Sequence, residues 1–400
     1  MQGEIGFPTE RKDVQQQFAP ASAEELAEVL SSAALRGQTI QAIGNNSKRL
    51  MGGPVTDAQV LVTTSNLRRI LRYERDDLTV SVEAGMHFSE LQAMLAANGQ
   101  MLALDPPFAA SATIGGLLAT NSSGPMRRAY GTARDLVIGM TFASLEGKLV
   151  KTGGMVVKNV AGLDMGKLMI GSFGTLAVIT SANFRVHSLP PETRTFVFSY
   201  KEAESAIQKR DSIVRGPLQP VALDILTPPA AKRFGLSGYI LAIRAGGSGT
   251  VLSRYSRELG GGEDLHGHEE ADFWLRLREF SSDFIKRQPS GIILRISTTL
   301  DDMRTLLKLV SSTCVCRAGS GISYVYVTNW HSVTPLWKAG QERGWGVAVE
   351  FAPEDIRSSK ELWLYSSANA SAEAFGMMEK VKRMFDPGQL LNRSRLYGRI

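Results

Sequence analysis

The sequence predicts an α+β protein of more than one domain, and three observations carry that expectation. Its 400 residues exceed one ordinary domain, and 43% hydrophobic with 21% charged residues suits a chain that buries a sizeable core. Strand-like and helix-like stretches alternate through the first hundred residues, as in a mixed sheet-and-helix domain. After Pro190-Pro191 the texture changes to longer strands and helices, which suit an antiparallel sheet with helices packed on one face.

The elements follow in order. Residues 1–20 form a polar lead-in. Ser22 to Arg36 predicts a helix: Ser22 can cap it, Glu24 and Glu25 sit in its first turn, and Leu26, Val29, Leu30 and Ala33 share one face. Gly37 ends it. Thr39–Ile43 predicts a short strand running into Gly44-Asn45-Asn46-Ser47-Lys48. Leu61–Thr64 predicts another, and Leu67–Tyr73 a short helix. Thr79–Ala84 alternates as a strand, Gly85 turns it, and Phe88–Ala97 predicts a helix closed by Asn98-Gly99. Twelve glycines then crowd into residues 111–175, around strands expected at Leu136–Leu145 and Leu149–Thr152 and ahead of one at Leu176–Val186. Beyond Pro191, strands are expected at Thr195–Tyr200, Val221–Leu226, Tyr239–Ala245, Ile292–Thr298 and Tyr324–Thr328. Helices are expected at Ala203–Val214, Ala271–Lys286, Asp301–Ser312, Pro335–Arg343 and Ala372–Phe385. Gly260-Gly261-Gly262 interrupts this half, and no internal repeat is visible in the sequence.

Several classes are excluded. No apolar run reaches the ~18 residues of a membrane span, and the first residues lack the apolar core of a secretory signal. Two cysteines, Cys314 and Cys316, cannot build a disulfide framework or hold an iron–sulfur cluster. On a strand, their spacing turns both thiols to one face. These features predict a soluble, cytoplasmic protein. The formal net charge of +6 hints at an anionic partner, and residues 376–400 hold six Lys/Arg against two Asp/Glu. No basic stripe interleaved with aromatics supports nucleic-acid binding.

Three loops are candidates for chemistry. Ala112-Thr113-Ile114-Gly115-Gly116, Gly171-Ser172-Phe173-Gly174-Thr175 and Gly44–Ser47 could each turn backbone N–H groups toward phosphate oxygens. Three such loops together suit a dinucleotide. Neither a Rossmann Gly-x-Gly-x-x-Gly nor a Walker loop is present, so an ordinary NAD or ATP site is disfavoured. His266 and His268 with Glu269, Glu270 and Asp272 read as a solvated loop entering a helix, rather than as a metal site. His87, His187 and His331 stand alone.

The series AIGNNSK, PPFAASATIGGLLATNSSGPMRRAYGTARDLVIG, VVKNVAGLDMGKLMIGSFGTLAVIT and MFDPGQLLN resembles the vanillyl-alcohol-oxidase (PCMH-type) FAD-binding flavoproteins. Within that group it is similar to the FAD-binding subunits of bacterial glycolate oxidase, over essentially the whole chain from about residue 15. The resemblance implies a PCMH-type FAD-binding domain of two α+β subdomains over residues 1–190. A cap domain with an antiparallel sheet and helices would follow over 191–375, and a C-terminal segment, 376–400, would return to the FAD domain.

Carried over residue by residue, Gly44, Asn45, Asn46, Ser47 and Lys48 match the pyrophosphate loop. Ala112, Thr113, Ile114, Gly115 and Gly116 match the segment facing the pyrophosphate and ribityl chain. Asn121, Ser122, Ser123 and Gly124, with Tyr130 and Gly131, match the stretch passing the flavin. Gly171, Gly174 and Thr175 match the turn beside the adenosine half, Ile179 the adenine position, and Asn392 the tail asparagine. No His or Cys stands at an attachment position, so the implied FAD is non-covalent.

The departures are informative. Asn45 and Asn46 replace usual glycines, and Leu391-Asn392-Arg393-Ser394 replaces an LNPG tail. In the cap, Arg317-Ala318-Gly319-Ser320-Gly321-Ile322 stands where 2-hydroxy-acid oxidising relatives carry a His-rich, metal-holding segment. It offers a substrate no base, and no cation except Arg317. No metal is therefore expected, and no catalytic residue is assigned. The implied role is a flavoprotein subunit of a glycolate oxidase-like complex. It would pair with a homologous catalytic flavoprotein and an iron–sulfur subunit, with a 2-hydroxy acid oxidised mainly on the partner and membrane association at most peripheral. The alternative is a self-sufficient FAD-dependent 2-hydroxy-acid dehydrogenase of the lactate type.

Overall fold

The computed structural model describes residues 16–55, 57–155, 164–364 and 370–400, without the side chains of 370–373. Gln16–Phe18, Val60–Thr63 and Ile40–Ile43 form a parallel three-stranded sheet with Val60–Thr63 central. Helix Ala23–Leu35 covers it. Ser22 caps this helix by accepting from the Glu25 N–H, and Leu26, Ala27, Leu30 and Ala33 pack with Ile40, Val60 and Val62. A second sheet is antiparallel and five-stranded, in the order Ile70–Glu74, Thr79–Glu83, Val178–Arg185, Val137–Ala143, Leu149–Gly153. Helices Phe88–Ala97 and Ile114–Ala119 bury Leu91, Leu95, Leu117 and Leu118 in its core.

The helix expected at Leu67–Tyr73 is instead the edge strand Ile70–Glu74. It pairs with Thr79–Glu83 through a bulge between Ile70 and Arg72. Cross-strand pairing with a buried strand overrides the helix propensity of Leu and Arg.

From Glu192 onward a nine-stranded antiparallel sheet dominates. Its first half contains Glu192–Tyr200, Ala222–Leu226, Tyr239–Gly247 and Glu263–His266, in the spatial order fourth, first, third, second. Its second half contains Ile292–Ser297, Thr313–Arg317, Ile322–Val327 and Gly346–Phe351, in the same order read backwards. In each half a helix follows the first strand and another follows the third. The halves are thus two copies of one β-α-β-β-α-β unit, a duplication that the sequence hides. They join where Ala222–Leu226 pairs with Thr313–Arg317. Across that seam the buried Asp224 accepts from the Arg317 guanidinium. Trp363–Leu364 adds a final edge strand.

Helices cover both faces of this sheet, not one. Ala203–Arg215, Gly249–Leu259, Asp302–Leu309 and Thr334–Arg343 pack on the first face. Pro228–Ala231, Gly267–Arg278 and Phe280–Arg287 pack on the second, where Met51 and Phe173 from the N-terminal half join them. The central strands are apolar at successive positions, as in Ile240-Leu241-Ala242-Ile243, so both faces require cover. The helix expected at Ala271–Lys286 is two helices meeting at Glu279, whose carboxylate accepts from the Phe108 and Ala109 N–H groups.

After helix Ala370–Phe385 the tail returns to the parallel sheet. The Ile40 N–H donates to Leu390 O, and the Asn392 N–H donates to Ile40 O. The buried Lys382 ammonium holds this return together, donating to Thr175 O, Leu391 O and the Asp386 carboxylate at 2.6–2.9 Å.

Candidate functional site

Two clefts meet between the sheets. The first, about 570 Å³, is lined by Gly44–Lys48, Thr113, Gly116, Asn392 and Arg395, among others. The second, about 660 Å³, lies between Asn121–Arg127 and the large sheet, which contributes Arg295, Tyr324 and Glu350. Thr120 and Phe173 line both, so the clefts adjoin at these two residues.

The first cleft is made of main chain. Strand Ile40–Ile43 ends at Gly44, and the N–H groups of Asn45, Asn46, Ser47 and Lys48 have no acceptor among the described residues. Four unpaired amides in a row form an anion nest. Asn46 adopts φ 51°, a left-handed conformation that asparagine tolerates, so the departure from glycine is accommodated. Gly44 presses on the neighbouring loop: a Cβ there would stand 2.1 Å from Thr113 Oγ1. Lys48 is 7% exposed, and burial lowers its pKa to about 8, with Glu350 and Glu279 opposing the shift.

The other two loops behave differently from the sequence expectation. In Ala112–Gly116, the Ile114 N–H donates to Met86 O, the Gly115 N–H to Ala84 O, and the Gly116 N–H to Thr113 Oγ1. In Gly171–Thr175, every N–H is likewise engaged within the fold. Their glycines serve close approach. Gly115 packs against Ala84, whereas at Gly116 a Cβ would meet only Thr113 Oγ1 and otherwise face the open cleft. The 84–86 segment, the Thr113 side chain and the tight Gly171 turn take up the donors that the glycine pattern suggests are free.

The remaining expected residues divide. Asn121, Ser122, Ser123 and Gly171 line the second cleft. Asn121 Oδ1 is buried without a partner. Asn392 lines the first cleft, but its amide is engaged: Oδ1 accepts from the Ala42 N–H, and Nδ2 donates to Phe173 O and Gly174 O. It positions the tail. Gly124 closes on Asp105, and Ala112, Ile114 and Thr175 are buried behind the clefts. Tyr130 rests on His187, Gly131 ends its short helix, and Ile179 lies within the five-stranded sheet; none of these three lines either cleft. The Lys158–Gly162 part of the resemblance falls outside the described residues.

The second cleft is made of side chains that the sequence reading missed. Arg295 Nε lies 3.2 Å from Glu350 Oε2, and Tyr397 hydrogen-bonds the same guanidinium. Burial raises the Glu350 carboxyl, with Arg295 and Lys48 opposing. Arg127 donates to Ser123 Oγ at 3.5 Å and has no carboxylate within ion-pair distance among the described residues. Arg317, the one cation expected from the cap segment, is instead held by Asp224 and lines neither cleft. Alternation along three strands places Arg295, Tyr324 and Glu350 side by side: Arg295 pairs Tyr324 in register, and Arg295 neighbours Ala348 on the other side. No local motif marks them.

Among the described residues no group of three His, Cys, Asp or Glu side chains could hold a metal. His266, His268 and Glu269 are exposed, while Glu270 turns inward to Arg244 and Thr193. Cys314 and Cys316 are buried on one face with sulfurs 3.5 Å apart. Of the tail cations, Arg395 alone lines a cleft, and its guanidinium donates to Lys48 O and Gly53 O. No helix among the described residues is long and apolar enough to cross a membrane.

A nest of unpaired amides beside a charged cleft under a capping sheet suits a large anionic ligand. A family profile described as an FAD binding domain matches residues 14–153. The glycolate oxidase subunit GlcE of Escherichia coli is 30% identical over 89% of this chain and 92% of its own length. The glycolate oxidase subunit GlcD of Bacillus subtilis is 28% identical over 53% of this chain, and the match spans only 45% of that relative. Among solved structures, 4-ethylphenol oxidase from Gulosibacter chungangensis superposes with a TM-score of 0.71 at 13% identity, covering 97% of this chain and 91% of that one. The chain belongs to the family of FAD-binding glycolate oxidase subunits, and it is an FAD-linked oxidoreductase.

Proposed function

We propose that this chain is the FAD-bearing subunit of a glycolate oxidase-like complex, supporting oxidation of glycolate to glyoxylate and passing the electrons to partner subunits. The observation that carries this reading is the row of unpaired amides from Asn45 to Lys48, beside a second cleft lined by Arg127, Arg295 and Glu350. Residues 1–190 would hold the cofactor, 191–375 would form the cap, and 376–400 would close the first cleft from below. Bound there, FAD supplies a two-electron acceptor. Asn45–Lys48 would hold its pyrophosphate, Thr113 and Gly116 would let it approach closely, and Asn121–Ser123 would flank the flavin. Neither cleft is lined by His or Cys, which supports non-covalent binding.

Two buried cysteines cannot carry the electrons onward through a cluster, so the reading includes an iron–sulfur partner and a homologous flavoprotein. We assign the complex to the cytoplasm, with membrane contact through partners at most. The second reading, a self-sufficient 2-hydroxy-acid dehydrogenase, gains support from the charged second cleft. Affinity purification at native levels, with the visible spectrum of what is recovered, tests the main reading. Flavin bands over broad iron–sulfur absorbance are the expected result. A colourless chain that cannot be reconstituted with FAD would overturn both readings.

A further inference from the structure

Outside both clefts, the helices on the second face of the large sheet carry a dense group of cations. Two of the guanidinium groups are fixed on phenyl rings. Arg233, in the short turn Lys232–Phe234, has its Cζ 4.0 Å from the centre of the Phe280 ring. Arg276, in helix Gly267–Arg278, has its Cζ 4.8 Å from the centre of the Phe234 ring and donates to Arg233 O. Phe234 in turn packs on Phe273 and Phe280, so the rings form a rigid base for both charges. Arg287 ends helix Phe280–Arg287 close enough to repel them. Burial first, and then the charges of Arg287 and Arg276, hold the Arg233 guanidinium below its usual pKa, with Asp283 opposing. Compensation within the chain is weak. Asp283 stands 3.6 Å from Arg233 and Asp272 stands 3.5 Å from Arg276, both longer than a charge-assisted hydrogen bond. Glu279, where the two helices meet, turns inward to the Phe108 and Ala109 N–H groups. Lys232, Lys286 and Arg287 are exposed and have no carboxylate within ion-pair distance among the described residues.

Like charges gathered on a rigid base repel one another until an anion joins them. A guanidinium fork held in place matches the paired oxygens of a carboxylate. We propose that this patch docks an acidic segment of a partner protein subunit, whose Asp and Glu side chains meet Arg233, Arg276, Arg287 and the flanking lysines. The proposal rests on the reading of this chain as one subunit of a complex. A protein suits the patch better than a bilayer. Asp272 and Asp283 stand among the cations, where a uniform layer of lipid phosphates would oppose them. A folded partner can instead place a neutral or basic side chain opposite each. Leu275, 48% exposed, is the large apolar side chain bordering the cations, too little to enter a membrane interface. Arginines fixed in place are, by contrast, frequent anchors of protein contacts. A second copy of this chain suits the patch less, since a two-fold contact would bring like charges together.

The test uses the complex recovered from cells at native levels. A water-soluble carbodiimide joins lysine amines to carboxylates in direct contact, and mass spectrometry should find Lys232 or Lys286 linked to an Asp or Glu of a partner subunit. Lys286→Glu combined with Arg287→Glu should weaken the complex at least ~10-fold at low salt, read by sedimentation on dilution. The double variant should also flatten the fall of affinity with salt, while keeping the wild-type melting temperature. Arg276→Met keeps the packing on Phe234 without the charge and should weaken the complex a few-fold. A complex that yields no such links and ignores both variants would overturn the proposal while leaving the subunit reading intact. So would an isolated chain that sediments with vesicles of equal parts phosphatidylglycerol and phosphatidylcholine and loses this with the double reversal, since a membrane would then occupy the patch. A chain recovered with FAD and no partner protein would overturn the subunit reading and the proposal together.

Discussion

The two clefts present polar groups to their interiors by opposite means. The first uses consecutive main-chain amides in Asn45–Lys48, with one buried lysine beside them. The second uses side chains brought together from the Ser123–Arg127 loop, three strands of the large sheet and the C-terminal tail. A main-chain nest tolerates many side chains but no displacement of the backbone. A side-chain site tolerates backbone drift but fails when one charge is lost. Variants in the two clefts should therefore fail in different ways.

The largest effect on ligand binding belongs to the first cleft. Gly116→Leu would project into the cleft, because nothing but Thr113 Oγ1 stands near its Cβ position. Leucine is also about 1 kcal/mol better than glycine within a helix, so Ile114–Ala119 should survive. The expected result is a folded, colourless protein whose FAD affinity falls at least ~100-fold, equivalent to about 2.7 kcal/mol. Flavin fluorescence titration and a melting curve of the apoprotein check it. A yellow Gly116→Leu protein would move FAD away from this loop.

Arg317→Met should give the largest effect on stability. In the sequence Arg317 is the one cation that the 317–322 segment could offer a substrate, whereas the structure gives it to Asp224 at the seam between the two cap repeats. Removing one partner of such a buried pair costs about 3–5 kcal/mol, because Asp224 is left charged without compensation. Denaturant unfolding should show this loss, while FAD affinity of the folded protein stays within about two-fold. A large loss of FAD affinity with little loss of stability would place Arg317 at the site instead.

Legibility followed locality. Helix Phe88–Ala97 is readable to the residue, because its start, its apolar face and its closing Asn98-Gly99 all lie within twelve residues. The nest at Gly44–Lys48 is readable for the same reason: strand, turn and donors are contiguous. Strand Ile70–Glu74 is not, since its state depends on Thr79–Glu83 and on the distant Val178–Arg185 beyond it. The cap duplication leaves no trace in the sequence because the repeat conserves pairing order rather than residue types. Arg295, Tyr324 and Glu350 converge only through register across three strands. The glycine excess is readable as close approach. Which of its amides stay free is not readable, because the 84–86 segment, the Thr113 side chain and the Gly171 turn decide which of those N–H groups are taken up.

Asp105 tests the second cleft from beneath. It accepts from the Met126 N–H and so supports the segment leading to Arg127. Burial pushes its carboxyl up to about 7, with Arg317 opposing. A folded pKa above the unfolded value means that the folded state binds the proton more tightly. The folded chain is then favoured at low pH and loses that advantage as pH rises from about 4 to about 7. At 1.36 kcal/mol for each unit, raising the pH from 5 to 8 should cost about 2–3 kcal/mol through this group. Asp105→Asn should remove most of that slope and raise the melting temperature more at pH 8 than at pH 5. An unchanged slope would mean that Asp105 is ionised throughout.

Lys48 gives the smallest effect and the sharpest contrast, because it is the one titrating side chain that helps the main-chain nest. Burial lowers its pKa to about 8, so in the apoprotein it is charged below that pH and neutral above it. A bound pyrophosphate favours the charged form, which raises the pKa in the complex. FAD binding then takes up a proton in the window between the two values. Affinity should be constant below about pH 8 and should fall above it, by up to tenfold per pH unit, about 1.4 kcal/mol. Lys48→Met should bind FAD more weakly at pH 7 but with a flat profile from pH 7 to 9, since the amides of Asn45–Lys48 do not titrate there. If the wild-type profile is already flat, the nest holds the pyrophosphate by its main chain alone, and Lys48 answers to Glu350 in the neighbouring cleft.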